Sequence, residues 1–494
     1  MSRIRRVFIL LLAGFSVVPA VAGGPSGALE SMPTSTKSPA ARALFEDGLN
    51  KLQTLHLQAA FQAWRKATKE DPNFALAHAY LSQFSQDPVE QTRERDKAAA
   101  TKKFAGPEER LIINWLIHSS TGNALAAIQE MNQAVESYRK QKQVVWLAGS
   151  WLTGQQQWGR ATVMFERAIA LDPDFADAWN NVAYCYARSR KYDKAFAAMK
   201  KYTSLLPNEP NPQDSFAEIS RMAGRYDQAL QHYRASLKID PSFIESQLGI
   251  GDTYALMGKE SRARSEYAVA IRKATTVQAV TWSLQSASTY VREGNFAKAD
   301  KAFLAAAEDA RKNQFGNLEA EAYRMMAMYQ SDNAKAIALL NQADAALDAS
   351  HEIFWQLIRQ ERANILRTRI QRLVQGKDMA AAGQAFTQLQ DLYARANDAA
   401  ISQAYHSAAG VIGLAQGKYE QAIPHLEEDY RNPYSLQNLV IAYEMTGAKE
   451  EAKRTAQDLM GFNEPILEQA LVVPAFRREW PIGHPDTAAK IASR

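Results

Sequence analysis

Cysteine is nearly missing from this chain: Cys185 is the only one in 494 residues. An internal disulfide framework and any multi-cysteine zinc or iron–sulfur centre are therefore excluded. Cys185 lies among apolar neighbours and reads as an inert packing thiol. Histidine is scarce too. The eight (His56, His78, His118, His232, His351, His406, His425 and His484) fall without metal-ligand spacing. The phosphate loop G-x-x-x-x-G-K-[ST], the dinucleotide G-x-G-x-x-G, the nucleophile elbow G-x-S-x-G and H-E-x-x-H are all absent. Gly249-Ile-Gly251 is a bare G-x-G whose glycines suit close helix packing. The acidic steps Glu427-Glu428-Asp429 and Glu450-Glu451 read as solvated helix faces. The expectation is no catalytic residue, no cofactor and no metal. Nor does any segment approach the roughly twenty apolar residues that a spanning helix needs.

Basic and acidic residues nearly balance, at 58 against 53 for a net of +5. Arg3, Arg5 and Arg6 precede the apolar run Val7–Val18, and Ala20-Val21-Ala22 supplies small residues at a cleavage site. Residues 1–22 read as a signal peptide cut after Ala22, which predicts a periplasmic or secreted protein. Without those three arginines the balance is 55 to 53, a net of +2. That removes the main reason to expect nucleic-acid binding. Residues 23–40, rich in Gly, Ser, Pro and Thr, are expected to form a disordered leader.

What the chain does have is a period. Pro173, Pro207 and Pro241 are spaced by 34 residues. Ala161, Ala195, Ala229 and Ala263 keep the same spacing, as do Phe165, Met199, Tyr233 and Tyr267. A third series, Gly149, Ala183, Ala217 and Gly251, stays small. Small residues let two antiparallel helices approach, larger ones fill the gap, and proline ends the second helix. Gly224 and Gly258 supply the positive φ that hairpin turns favour. Units 142–175, 176–209, 210–243 and 244–277 follow in register. A further unit at 41–74 carries Gly48, Ala60, Trp64 and Pro72.

This pattern resembles the tetratricopeptide repeat. The resemblance implies an all-α fold, a right-handed α–α superhelix of about eleven helical hairpins. We expect helical repeats, partly irregular, over 41–141, a regular array over 142–316 and divergent hairpins over 317–402. Repeat-like units follow at 403–463. In segment 464–494, a short helix caps the last repeat and an extended tail begins near Trp480. Arg362, Arg369 and Arg372 share one helical face, read as solvated, with an acidic partner or anionic lipid as the alternative.

In the family, first helices line a concave groove. Carried onto this sequence, the groove positions give Trp146, Asn180, Tyr184, Arg188, Glu218, Arg221 and Asp252 as the candidate partner-binding residues. Asp214, Glu218, Glu245 and Asp252 form an acidic step that would suit a basic or polar extended segment. The family's carboxylate clamp is not reproduced. Asn181 matches its middle asparagine, but Trp146 and Ser150 stand where lysine and asparagine are needed, and Asn211 and Ser215 where bases are needed. The resemblance implies a non-enzymatic scaffold for protein or peptide partners. The alternatives are an enzyme or glycan-processing accessory with a site in 317–402, and a solenoid that senses a small molecule.

Overall fold

The computed structural model describes residue 32 and residues 34–480, apart from 54–56, 86–87, 122, 351–354 and 397. The signal-peptide segment and the tail beyond Trp480 lie outside the described residues. Every regular element described is helical. The first three hairpins pair α1 (Pro39–Gln53) with α2 (Leu57–Glu70), α3 (Ala75–Phe84) with α4 (Pro88–Thr101), and α5 (Pro107–Ser120) with α6 (Ala124–Ser137). The regular centre pairs α7 (Lys142–Gly154) with α8 (Trp158–Leu171), α9 (Ala176–Arg188) with α10 (Tyr192–Leu205), α11 (Pro210–Met222) with α12 (Tyr226–Ile239), and α13 (Ile244–Leu256) with α14 (Glu260–Lys273). Longer hairpins follow: α15 (Thr276–Arg292) with α16 (Phe296–Lys312), α17 (Gly316–Tyr329) with α18 (Asn333–Asp348), and α19 (Trp355–Gln375) with α20 (Met379–Arg395). The last are α21 (Ala399–Ala415) with α22 (Tyr419–Glu428) and α23 (Pro433–Met445) with α24 (Lys449–Met460), before a single helix, α25 (Leu467–Glu479). Twelve hairpins are thus described where about eleven were expected, because the irregular stretches also fold as hairpins.

The 34-residue period has a direct structural meaning. The hairpins that keep the period place a small residue under a large side chain 16 positions later. A methyl group at Gly149 would lie 2.7 Å from the Phe165 ring, and one at Gly251 would lie 2.6 Å from Tyr267. The same clash recurs for Gly48 with Trp64 and for Gly410 with Leu426. All four large partners are buried, as are Ala161, Ala195, Ala229 and Ala263 at the helix crossings. One apolar seam runs unbroken between the two layers of helices from Met32 to Met222. Cys185 lies in it, and burial pushes its thiol up to about 11.

Two expectations need correction. The disordered leader does not reach residue 40. Ser35 N–H donates to Glu109 at 2.8 Å, Thr36 Oγ1 donates to Asp71 at 2.5 Å, and Met32 is buried, so this strand of chain is pinned across the first hairpins. Nor is the basic face of α19 solvated. Arg362 pairs with Asp344 and with Asp348 at 2.5 Å, Arg369 with Asp344 at 2.7 Å, and Arg372 donates to Gln330 O at 2.7 Å. The acids that balance it sit on α18, its neighbour in the stack.

Substitution at the hairpin crossing tests this packing. Gly149→Ala should cost about 1–3 kcal/mol through overpacking. Gly159→Ala, exposed with nothing within 4 Å, should instead gain about 0.5–1 kcal/mol from reduced chain entropy. Urea midpoints of the two variants should move in opposite directions; equal midpoints would refute the assignment.

Candidate functional site

First helices α7, α9, α11 and α13 stand side by side, and the 34-residue repeat assigns the groove positions of each to a common face. Trp146, Asn180, Tyr184, Arg188, Glu218, Arg221 and Asp252 all lie on it. They do not form an open groove. Trp146, Asn180, Arg221 and Asp252 are buried, and Tyr184, Arg188 and Glu218 are half-buried. Arg188 and Arg221 are covered by a later stretch of the chain itself.

After α24 the chain leaves the helical pattern over Gly461–Ile466 and lies against this face. Arg221 donates to Asn463 O at 3.4 Å, and the Asn463 amide donates to Met222 O at 3.3 Å. Tyr226 Oη donates to Asn463 Oδ1 at 2.8 Å. Gln285 donates to Pro465 O at 2.9 Å, while Arg292 reaches Ile466 O at 3.2 Å and Gln469 Oε1 at 2.5 Å. Glu464 is held by Arg188 and, at 2.6 Å, by Arg431. Both guanidiniums also lie over the Trp158 ring, 5.9 and 5.5 Å from its centre. Arg190 closes the near end on Asp458. Asn463 approaches closely because its neighbour in the turn is Gly224, where a methyl group would stand 3.1 Å from the Asn463 amide nitrogen.

The charge expectation for the groove therefore reverses. Three of its four acids are spent within the repeat array, while Glu245 stays exposed. Glu218 accepts from Tyr184 Oη at 2.7 Å and pairs with Arg221 at 3.4 Å. Asp252 accepts from Tyr267 Oη at 2.7 Å and from Gln285 at 3.0 Å, and Asp214 accepts from Ser246 at 2.6 Å. Arginines are left to meet the seated segment, which is acidic and rich in carbonyls. Burial alone would lower the pKa of Arg221, but Tyr233, Asp252 and Glu218 around it outweigh that effect and hold it charged. Asn181 bonds within its own helix, to Asp177 O at 2.8 Å, rather than to a neighbour.

Sequence reasoning missed Arg190, Gln285, Arg292 and the segment itself. It also missed a histidine pair. His406 and His425 bring their Nδ1 atoms to 2.8 Å, so one ring donates and the other accepts. Burial, with the His425 charge as a second cause, pushes His406 down to about 4. Their separation of 19 residues is a usable signal. The same offset joins Gln213 to His232 at 2.7 Å and Trp64 Nε1 to Phe45 O at 3.2 Å, each across a hairpin. In 317–402, Arg324 is buried between Glu361, at 2.6 Å, and Glu321, at 3.3 Å. Burial and the Glu361 charge push Glu321 up to about 7. Tyr323, Met326, Leu340 and Ile365 fill the adjoining seam. Among the described residues no three His, Cys, Asp or Glu side chains converge as metal ligands, and no helix is long and apolar enough to cross a membrane.

The architecture is that of an α–α superhelical repeat solenoid. Residues 164–197 match the family described as "Tetratricopeptide repeat" and residues 219–258 the one described as "TPR repeat", so the chain carries tetratricopeptide repeats. It is similar to Superkiller protein 3 of Schizosaccharomyces pombe, 22% identical over 233 residues that cover 44% of this chain and 16% of that protein. It is also similar to Hsp70-Hsp90 organizing protein 1 of Glycine max, 30% identical over 114 residues, 23% of this chain and 20% of that one. The matched segment is thus less than a quarter of either relative's length. Among solved structures, yeast Tom70 aligns over 92% of this chain and 99% of its own, at 12% identity and a TM-score of 0.37.

The buried carboxylate of Asp177, in the first turn of α9, gives a pH test. Burial pushes it up to about 7, with Trp146 and Asn181 only partly opposing. The unfolded chain releases this proton near pH 4, so between about pH 4 and 7 the folded state binds more protons. Stability from this group is full at the acid end of that window and falls as pH rises through it. Asp177→Asn, permanently neutral, should therefore match the parent near pH 4.5 and exceed it at pH 8 by ~2–4 kcal/mol. Parallel denaturation curves at both pH values decide this; an equal difference at the two would rule it out.

Proposed function

We propose that this protein is an exported, non-enzymatic scaffold that holds extended segments of protein partners against the first helices of its repeats. One observation carries the reading. The face formed by α9, α11, α13 and α15 already grips a non-helical stretch of polypeptide, Gly461–Ile466, through its main-chain carbonyls. Arg221, Gln285 and Arg292 donate to those carbonyls whatever the side chains are. Arg188 and Arg431 add preference for a carboxylate at one position. A face built this way suits an extended, acidic or neutral peptide rather than a basic one.

Tetratricopeptide repeats in other proteins serve as interaction scaffolds, which agrees with this use. The seated segment then acts as the groove's resident occupant, and a partner engages by displacing it. Export rests on residues 1–22: the three arginines, the twelve-residue apolar run and the Ala-Val-Ala site.

Two measurements test this proposal. Glu464→Lys sets a cation against Arg188 and Arg431 and should loosen the segment. Crosslinking pull-down from the native envelope should then recover severalfold more partner protein than the parent does. Adding Gln285→Ala and Arg292→Gln, which removes donors to the seated main chain, should abolish the gain with helicity unchanged. Capture that ignores these changes would remove the groove from the function. For export, mass spectrometry of the purified protein should find Gly23 at the amino terminus; a retained Met1 in the cytoplasm would refute it.

A further inference from the structure

A second recessed surface lies away from the occupied groove. The carboxyl ends of α3, α5 and α7 stand together, and the start of α19 crosses in front of them. Between them is a cleft of about 310 Å³, large enough for a small ligand and too small for a helix. Its lining is unlike the rest of the concave face. Ser82, Ser119, Ser120 and Ser150 supply hydroxyls, Gln83, Gln91, Gln155 and Gln356 supply amides, and Phe84 and Trp151 supply ring faces. Among the described residues no charged side chain contributes.

We propose that this cleft binds a neutral saccharide of one or two rings.

The hydrogen-bond inventory supports a hydroxyl-rich ligand. Ser82, Ser119 and Ser120 each donate their proton to a carbonyl of their own helix, at 2.8, 2.7 and 2.8 Å. Their oxygens remain as acceptors. Gln91 and Gln356 donate through Nε2, to Ser85 O at 2.5 Å and to Asp398 at 2.8 Å, which leaves Oε1 of each as an acceptor. Among the described residues the amides of Gln83 and Gln155 make no hydrogen bond, so donors are present as well. Ser150 Oγ is cut off from water and has no partner among the described residues, a costly state that a ligand hydroxyl relieves. Sugar hydroxyls both donate and accept, and they match this mixed lining. The face of a pyranose ring is apolar and suits an indole. Trp151 is held for that role by an edge-to-face contact with Trp115, 6.3 Å between centres.

Charge argues against ionic small ligands. The carboxyl-terminal residues of three helices, Phe84, Ser120 and Gly154, line the cleft, and the negative ends of their helix dipoles make it electronegative. Phosphates, uronates and carboxylates are disfavoured there, and among the described residues no acid lines the cleft to attract a cation.

Isothermal titration of the full chain with cellobiose, maltose and N,N′-diacetylchitobiose tests the proposal. At least one should bind saturably, with glucuronic acid and glucose 6-phosphate inert. The pair Gln83→Ala and Gln155→Ala should weaken that binding about tenfold or more without moving the melting temperature, since neither side chain bonds the fold. Trp151→Leu should weaken it similarly with the far-ultraviolet spectrum retained. Four results would overturn the inference. They are silence from all three disaccharides, unchanged affinity in the glutamine double variant, equal binding of the charged sugars, and preferential binding of an uncharged Ser/Gln peptide. None depends on the groove at Arg221, so the outcome is separable from the scaffold reading.

Discussion

Everything in this molecule follows from how closely the two helices of a hairpin can approach. The distance is set by a glycine or alanine on the first helix beneath a ring or long aliphatic chain 16 residues later, as Gly149 lies beneath Phe165 and Gly251 beneath Tyr267. Because that pair recurs with one period, each hairpin is turned by a similar small angle relative to the last, and the stack must coil. Coiling brings residues far apart in sequence face to face. Gln156 in the α7–α8 turn meets Gln403 on α21 through a pair of amide contacts at 3.3 and 2.6 Å, and Arg190 in the next turn meets Asp458. Local packing thus dictates a global closure that no single repeat encodes.

Those two turns show the closure acting back on the backbone. At Gly224, Gly258 and Gly294 the turn residue has a φ of +74, +71 and +71°, where glycine is free of strain. At Gln156 and Arg190 the same turn has φ of 56 and 58° with a full side chain, a conformation that costs about 1–2 kcal/mol for an L residue. Both strained residues reach across to the far half of the coil. At these two turns the side chain makes a contact that glycine could not make; Gln314 and Lys377 in later hairpins take the same turn, with φ of 61 and 62°.

This divides what the sequence made legible from what it did not. Local relations were readable: the register of units 142–277, the buried alanines and the turns at Gly224 and Gly258 all depend on residues within one hairpin. The candidate groove residues sit at repeat positions on α7, α9, α11 and α13 that the period alone assigns. Their exposure was not readable. Arg221 and Asn463 are 242 residues apart, and their contact has no period to betray it. The same limit applies to residues 34–40, whose composition suggests disorder while Glu109 and Asp71 hold them. It applies again to Arg362 and Arg369, whose balancing acids sit one helix back.

A repeat that keeps its framework positions constant leaves its groove positions free to differ, and here they differ by neighbourhood. At position 9 the chain places Ser150, then Tyr184, then Glu218, then Asp252; at position 12 it places Thr153, Ala187, Arg221 and Ala255. The amino-terminal end of this series is uncharged and stays recessed behind α19. Further along, charges accumulate, and burying Arg221 or Glu218 without partners would cost far more than leaving them in water. Glu218 and Asp252 find partners inside the array, but the outward donors of Arg188, Arg221 and Arg292 do not. The carbonyls and carboxylates of 458–469 supply what is missing. The charged half of the face is therefore the half that must be covered, by this segment or by something that resembles it. The neutral half can stay open at no such cost.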